Sequence, residues 1–310
     1  MNPGTRFHQL GARLRSWNTA PVTREEYARH YQSWGGSFIL HPEVLQFFGD
    51  VHGIRTDYHG YFHGEQCIGV VPAWGPRIAG DRQALQVHRL TDQVDFGYPV
   101  LHLPVAPGYN CLVLFRAGFL LGLQRRQVAG AVFPGLKQMA ILKRIPDELP
   151  TGKKEYQIKE RRFERLGGTV RDIGEFSSEE IIAMYEALHL VRWQRKPHAI
   201  GTMKATLDHL GQFLFGKVLW LKDRPVAIQI NYRAETSRTV CIDYINGGVD
   251  KSFNGISPGS LLSYINGRDA CAEAQASGRQ LIYSYGKANT AYKDQWCHRV
   301  ARGFTGFWLP

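Results

Sequence analysis

Between residues 217 and 245 three apolar stretches follow one another almost without pause: Lys217–Lys222, Val226–Arg233 and Thr239–Ile245. Only Asp223-Arg-Pro225 and Glu235–Ser237 separate them. Connections that short close hairpins, so the three stretches read as strands paired antiparallel. Asn246-Gly247-Gly248 opens a loop, and Ser257-Pro258 then reads as a helix start, with Ser257 as N-cap and Pro258 at the first helical position. That helix runs to about Ala276 and stops at Gly278. Gln280–Tyr285 follows as an apolar strand, Tyr292 to Cys297 as a short helix and Phe304–Leu309 as a last strand.

Upstream, the pattern is looser. Residues 1–20 contain no acid, and Phe7, Leu10, Leu14 and Trp17 recur at helical spacing between Arg6, Arg13 and Arg15. Such a segment either docks its stripe on the domain or lies on an anionic membrane surface. Thr23-Arg-Glu-Glu26 is a capping box for a helix ending near Gly35-Gly36, and His41-Pro42 starts a second helix to about Phe48. Ile54–Phe62, Gln66–Ala73, Gln86–Gln93, Asn110–Phe115 and Met139–Leu142 read as strands. Ile145-Pro-Asp-Glu-Leu-Pro150 is a turn-rich joint. It divides the chain into a basic segment over 1–23, an α/β domain over 24–148 and a second domain over 149–310. The second opens with a basic helix, Lys153–Arg165, ended by Gly167-Gly168. After a short strand at Val170–Ile173, Ser177-Ser-Glu-Glu180 caps a helix to about Arg195, and another runs from about Met203 to Leu214.

Composition narrows the function classes. Of 310 residues, 44% are hydrophobic, enough for a large core, and disorder over most of the length is excluded. The five cysteines are odd in number, scattered and without a C-x-x-C pair, which argues against a disulfide framework and a zinc site and for buried thiols in a reducing compartment. The twelve histidines show no metal-ligand spacing; His52, His59 and His63 come closest. No apolar run reaches the ~20 residues of a membrane span, and arginines interrupt any signal-peptide core, so a cytoplasmic protein is expected. A net charge of +11 favours anionic partners. The basic helix has three readings: an RNA grip, a rest on anionic lipid, or a solvated face. No series of base-stacking aromatics accompanies it, so sequence-specific nucleic-acid binding is not expected.

The chemistry concentrates at Ser257-Pro258-Gly259-Ser260. The first amides of a helix point outward with the positive end of its dipole, a ready anion site, and Gly259 lets a ligand approach without a Cβ. An ordinary capped helix fits the same residues.

The element order of the second half is similar to a GNAT acyltransferase core. Lys153–Gly168, Asn246-Gly-Gly-Val249, Ser257-Pro-Gly-Ser-Leu-Leu262 and Tyr285-Gly-Lys-Ala-Asn-Thr-Ala-Tyr-Lys293 before Trp296 resemble the Mig-fourteen family, as do Ser33-Trp-Gly-Gly-Ser-Phe38 and His41-Pro42. A wider similarity is to Fem-type aminoacyl transferases and CelD-like acetyltransferases. The resemblance implies a mixed α/β fold with a largely antiparallel sheet flanked by helices, in one or two tandem GNAT-like halves. It also implies a link to antimicrobial-peptide resistance in Gram-negative bacteria, peripheral association with the inner membrane, and a helix start over Ser257, Gly259, Ser260 and Leu261 that cradles acyl-CoA pyrophosphate. Asp243 then stands as the base for an incoming amine, Tyr292 as the donor to a leaving group or oxyanion, and Lys287 and Lys293 as phosphate contacts. The usual glycine-rich GNAT loop is replaced by Ser257-Pro-Gly-Ser260, so the phosphate of acyl-CoA, of aminoacyl-tRNA and of a lipid head group all remain candidate ligands. Two functions follow: an N-acyl- or aminoacyltransferase acting at the membrane face on an amine of a cell-envelope-related acceptor, or a catalytically silent binding module on that fold.

Overall fold

The computed structural model describes residues 17–145, 152–253, 255–291 and 293–306. The N-terminal part holds β1 (Trp17–Pro21), α1 (Arg24–Trp34), α2 (Pro42–His52), β2 (Asp57–His63), β3 (Gln66–Trp74), β4 (Arg77–Ile78), α3 (Arg82–Val87), β5 (Cys111–Leu112), β6 (Ala117–Leu121), β7 (Val128–Ala129) and β8 (Gln138–Leu142). The C-terminal part holds α4 (Gly152–Arg165), β9 (Gly168–Asp172), α5 (Ser178–Trp193), α6 (Met203–Leu210), β10 (Lys217–Leu221), β11 (Arg224–Glu235), β12 (Thr239–Val249), α7 (Pro258–Ala276), β13 (Gln280–Lys287), α8 (Lys293–Trp296) and β14 (Cys297–Thr305).

The capping boxes at Thr23 and Ser177 form as expected: Thr23 Oγ1 accepts from Glu26 N–H at 3.1 Å, and Ser177 Oγ from Glu180 N–H at 3.2 Å. The hairpins also form. β9 to β12 run antiparallel in an eight-stranded sheet of order β6-β14-β8-β13-β12-β11-β10-β9. The crossover through α7 makes β12 and β13 parallel, from Thr239 opposite Gln280 to Asp243 opposite Ser284. β8 comes from before the joint, pairs with both β13 and β14, and so binds the two parts of the chain into one sheet. This is a mixed α/β, GNAT-like fold. β1 to β4 form a separate antiparallel sheet, and one apolar core runs from Tyr27 and Phe48 of the N-terminal helices to Tyr185 on α5 and Tyr232 on β11.

A buried polar network fixes α7 to the sheet. Asn266 and Asn231 are completely buried. Asn266 Nδ2 donates to Gln229 Oε1 at 3.0 Å, and its Oδ1 accepts from Lys217 N–H at 2.9 Å. Gln229 Nε2 donates to Ser263 Oγ at 2.7 Å, and Tyr283 Oη to Asn231 Oδ1 at 2.9 Å. Each member is satisfied, so the network sets the rotation and height of α7 over the strands.

Several expectations need correction. Trp17–Pro21 is strand, paired with β2, where a helical stripe was expected; Trp17 alone of that stripe is described, and Phe7, Leu10 and Leu14 lie outside the described residues. Gln86–Gln93 is not strand. Asp81 accepts from Gln83 N–H at 3.0 Å and caps α3 instead, a local hydrogen bond that outweighs an alternating pattern. Of Asn110–Phe115 only Cys111–Leu112 is strand. The last strand begins at Cys297 rather than Phe304, because β8 offers a partner edge at once. The joint over 146–150 lies outside the described residues.

Replacing Asn266 by alanine leaves Gln229 Oε1 and the Lys217 amide buried without their partner. The expected loss is about 2–4 kcal/mol in denaturant unfolding, whereas an exposed α7 residue such as Gln275 should tolerate the same change.

Candidate functional site

Beyond Asp243 and Ser284 the parallel pairing stops. β12 continues along β11 to Val249, while β13 turns at Gly286, whose φ of 72° is left-handed. The register of β11 against β12 shifts between Ile230 and Asn231, which leaves Ile245 as an extra residue on β12. A bulge of this kind bends the strand and re-aims its side chains. The sheet is thus open between Tyr244 and Tyr285.

A cavity of about 350 Å³ fills the gap on the α7 side. Gly247, Gly248, Val249, Lys251, Ser257, Gly259, Ser260, Tyr244, Tyr285 and Trp296 line it, with Arg192 from α5 at its edge. Gly248 is needed for packing: a Cβ there would sit 2.5 Å from Leu188 Cβ, so α5 rests directly on the strand. A second, open cleft of about 790 Å³ lies among the end of α5, the 91–98 segment and the 286–293 turn. Arg192, Tyr244 and Tyr285 line both. These residues stand between the two spaces at the break in the sheet, with the Tyr244 and Tyr285 rings stacked at 5.0 Å.

The start of α7 differs in detail from expectation. Ser257 has left-handed backbone angles (φ 52°, ψ 64°), and its side chain does not cap the helix. The chain closes a tight turn there: Ile256 N–H and Ser257 N–H both bond Phe253 O. Proline at 258 bars Ser257 from the right-handed region, so the reversal falls on a serine at a cost of about 1–2 kcal/mol. The Ser260 and Leu261 amides bond Ser257 O at 3.0 Å. Ser257, Gly259 and Ser260 line the cavity, and Gly259 has room for a methyl group, since a Cβ would lie 3.6 Å from Val249 Cγ2. Leu261 is fully buried in the core beneath, so its side chain supports the helix start from below.

The remaining expected residues scatter. Asp243 shares a face of β12 with Cys241 and stands opposite Tyr232. It is 5% exposed and lines neither space. Burial pushes its carboxyl up to about 7, against the pull of a hydrogen bond from the Val100 backbone. Lys287 Nζ lies 4.0 Å over the Tyr98 ring, and it lines neither space. Lys293 lines the open cleft, but its Nζ donates to Tyr285 O at 2.7 Å and Lys287 O at 2.8 Å, clamping the turn after β13, and burial lowers its pKa. Tyr292 lies outside the described residues. Trp296 is buried against Tyr156, with ring centroids 4.8 Å apart. The basic helix α4 packs on α7 through Glu160, whose carboxylate takes Arg268 Nη1 at 2.9 and 3.0 Å. Among the described residues no three His, Cys, Asp or Glu side chains group as metal ligands.

Residues not singled out from the sequence carry more of the site. Tyr285 is 5% exposed and lines both spaces, and its hydroxyl reaches no partner in hydrogen-bonding geometry. Its neighbour Tyr283, stacked at 5.1 Å, spends its own proton on Asn231. Burial raises the Tyr285 pKa well above the usual phenol value, so the group stays a proton donor. Arg192 and Lys251 add positive charge beside the helix start. Among the described residues Asp95 is the one acid lining the open cleft, and burial raises its carboxyl above the usual range. Alternation along Gln280–Tyr285 could have placed Tyr285; nothing local marks Arg192 or Asp95, which come from other elements.

Residues 41–303 match the model of the Mig-14 family. The chain belongs to that family. No curated protein matches it. Among solved structures, FemX resembles this Mig-14 protein at 10% identity over 93% of this chain and 96% of FemX, with a TM-score of 0.52. L-PGS from Bacillus licheniformis does so at 15% identity over 93% of each chain, TM-score 0.45. The C-terminal domain of a putative lysylphosphatidylglycerol synthetase from Agrobacterium fabrum does so at 14% identity over 91% of this chain and 90% of that one, TM-score 0.45. At such identities the likeness to FemX is one of fold, the GNAT-like transferase fold of this Mig-14 chain.

Asp243 gives the fold a pH signature. Its folded pKa of about 7 stands above the free value of 3.8, so ionisation favours the unfolded chain, and stability is lost as pH rises from about 4 to about 7. Asp243→Asn has no charge to bury. Its stability advantage over the parent should grow across that window by roughly 2–4 kcal/mol and then level off, as read from denaturation at a series of pH values. An advantage independent of pH would contradict the assignment.

Proposed function

We propose that this protein transfers an acyl or aminoacyl group from a phosphate-bearing carrier to the amine of a cell-envelope-related acceptor. The observation that carries the reading is that the α7 cavity and the open cleft are adjacent, sharing Arg192, Tyr244 and Tyr285 as lining where the sheet pairing ends. Carrier phosphate sits at the helix start beside Arg192 and Lys251, favoured by the helix dipole and by both cations. The acyl carbonyl lies in the gap, and the acceptor amine arrives from the other side. Its nitrogen attacks the carbonyl carbon, a C–N bond forms, and the C–S bond of a thioester or the C–O bond of an ester breaks. Tyr285 gives its phenolic proton to the departing sulfur or oxygen, and the proton released by the new amide nitrogen restores it. Acyl-CoA and aminoacyl-tRNA are the two carrier classes this arrangement suits.

The setting we assign is peripheral, at the cytoplasmic face of the inner membrane, in the service of antimicrobial-peptide resistance. No described helix is long and apolar enough to cross a membrane. Leu190, Val191 and Trp193 are all about half exposed, at 47%, 59% and 47%, beside Arg192 at the mouth of the cleft. Apolar and cationic side chains mixed in this way favour an anionic bilayer surface.

Acetyl-CoA and alanyl-tRNA are the probes. Gly259→Glu should weaken carrier binding by at least about tenfold in calorimetry, and Gly259→Ala, which fits beside Val249, should leave the fold intact. Tyr285→Phe should bind as the parent does and turn over about a hundredfold more slowly. Failure of both carriers to bind the parent sinks the transferase reading; binding without transfer to any amine leaves a silent binding module.

A further inference from the structure

The charged groups lining the open cleft are Arg82, Arg192, Arg195, Lys196 and Lys293, and against them stands Asp95. These cations are not equivalent. Lys196 pairs with Glu186 at 2.8 Å, Lys293 is held by two backbone carbonyls, and Arg82 Nη1 donates to Gly97 O at 2.6 Å while its guanidinium lies 4.2 Å over Tyr98. Arg192 and Arg195 have no carboxylate within ion-pair distance among the described residues; Arg192 Nη1 makes only a long contact of 3.4 Å to Gly247 O, with its guanidinium 4.6 Å over the half-exposed Trp193 ring. Both arginines act on the buried His189, which holds Arg195 O through Nδ1 at 2.9 Å. Two guanidiniums lining one cleft offer donors to the oxygens of a phosphate.

Asp95 has the opposite need. It accepts Gly97 N–H at 2.9 Å, which occupies part of its capacity for hydrogen bonds. It feels His198, Arg82 and His189, but no described cation reaches it within ion-pair distance. A ligand with negative charge alone would be repelled by Asp95, and one with positive charge alone by the arginines. A ligand with both ends satisfies both.

We propose that the open cleft takes an acceptor carrying a primary ammonium beside a phosphate, as in a phosphoethanolamine unit, with the phosphate on Arg192 and Arg195 and the ammonium on Asp95. The site rests on the transferase reading for its purpose, since Asp95 holds the amine that receives the acyl group. Its occupancy does not depend on any carrier. In this arrangement Asp95 is a positioning residue.

Calorimetry without a carrier compares O-phosphorylethanolamine, ethanolamine and inorganic phosphate. The parent should bind O-phosphorylethanolamine at least about tenfold more tightly than either fragment. Asp95→Asn, which keeps the shape and the Gly97 hydrogen bond, should remove that preference and leave phosphate binding equal or tighter. Arg195→Gln, at an exposed position, should weaken O-phosphorylethanolamine and phosphate alike and leave the fold untouched. Phosphate binding as tight as O-phosphorylethanolamine, no binding of either, or a preference that survives Asp95→Asn would each overturn the assignment. Flotation on phosphatidylcholine vesicles with and without phosphatidylethanolamine separates the sources. Extra binding to the second kind, lost in Asp95→Asn, assigns a lipid head group. A preference seen only in solution assigns a soluble phosphoamine. Because no carrier is present, failure here leaves the carrier-binding result standing, and failure there leaves this one.

Discussion

The buried amide network under α7 is the interaction on which the site depends. Gln229, Asn231 and Asn266 sit on strands and helix where aliphatic side chains would otherwise fill a dry core. An apolar contact would allow α7 to slide or rotate by a fraction of a turn. Hydrogen bonds to Ser263, Tyr283 and the Lys217 amide do not. They hold the helix start beside the place where β12 and β13 part, and they consume the Tyr283 hydroxyl, while the hydroxyl of the neighbouring Tyr285, a residue lining both spaces, is buried without a hydrogen bond of good geometry. On the proposed reading, one network fixes the carrier end and the proton donor together.

Charge is divided between the two sides of that gap. The α7 side offers a helix dipole, Arg192 and Lys251 to a phosphate. The other side is lined by Arg192, Arg195 and, among the described residues, one carboxylate, Asp95. Arg192 belongs to both. Asp243, although buried and titrating unusually, lies on the face of β12 away from the cavity and among groups such as Cys241 and Val100. An abnormal pKa marks burial first, and only its place in a cleft makes it chemical.

The C-terminal part was legible because its signals are local. Three-residue connections dictate hairpins, Pro258 dictates a helix start, and the capping boxes at Thr23 and Ser177 need only four residues each. The misreadings have non-local causes. Trp17–Pro21 becomes strand because β2 offers an edge, and Gln86 enters a helix because Asp81 caps one. Ser257 looks like an N-cap, yet the Phe253 turn and Pro258 together force it into the left-handed region. Lys287 and Lys293 lie in the right segment but turn to an aromatic ring and to carbonyls. Asp95 was out of reach altogether: it enters the cleft from the N-terminal part, where Phe96 packs edge-on against Tyr232 of β11.

On the proposed reading a carrier phosphate rests on the α7 start, with its acyl group beside Tyr285. Hydrogen–deuterium exchange of the whole chain with and without coenzyme A tests it most directly. Protection should appear over 247–251 and 257–261 and extend to the 284–287 segment, with little change over β1 to β4. Protection confined to the basic helix α4, or none near α7, would contradict the account.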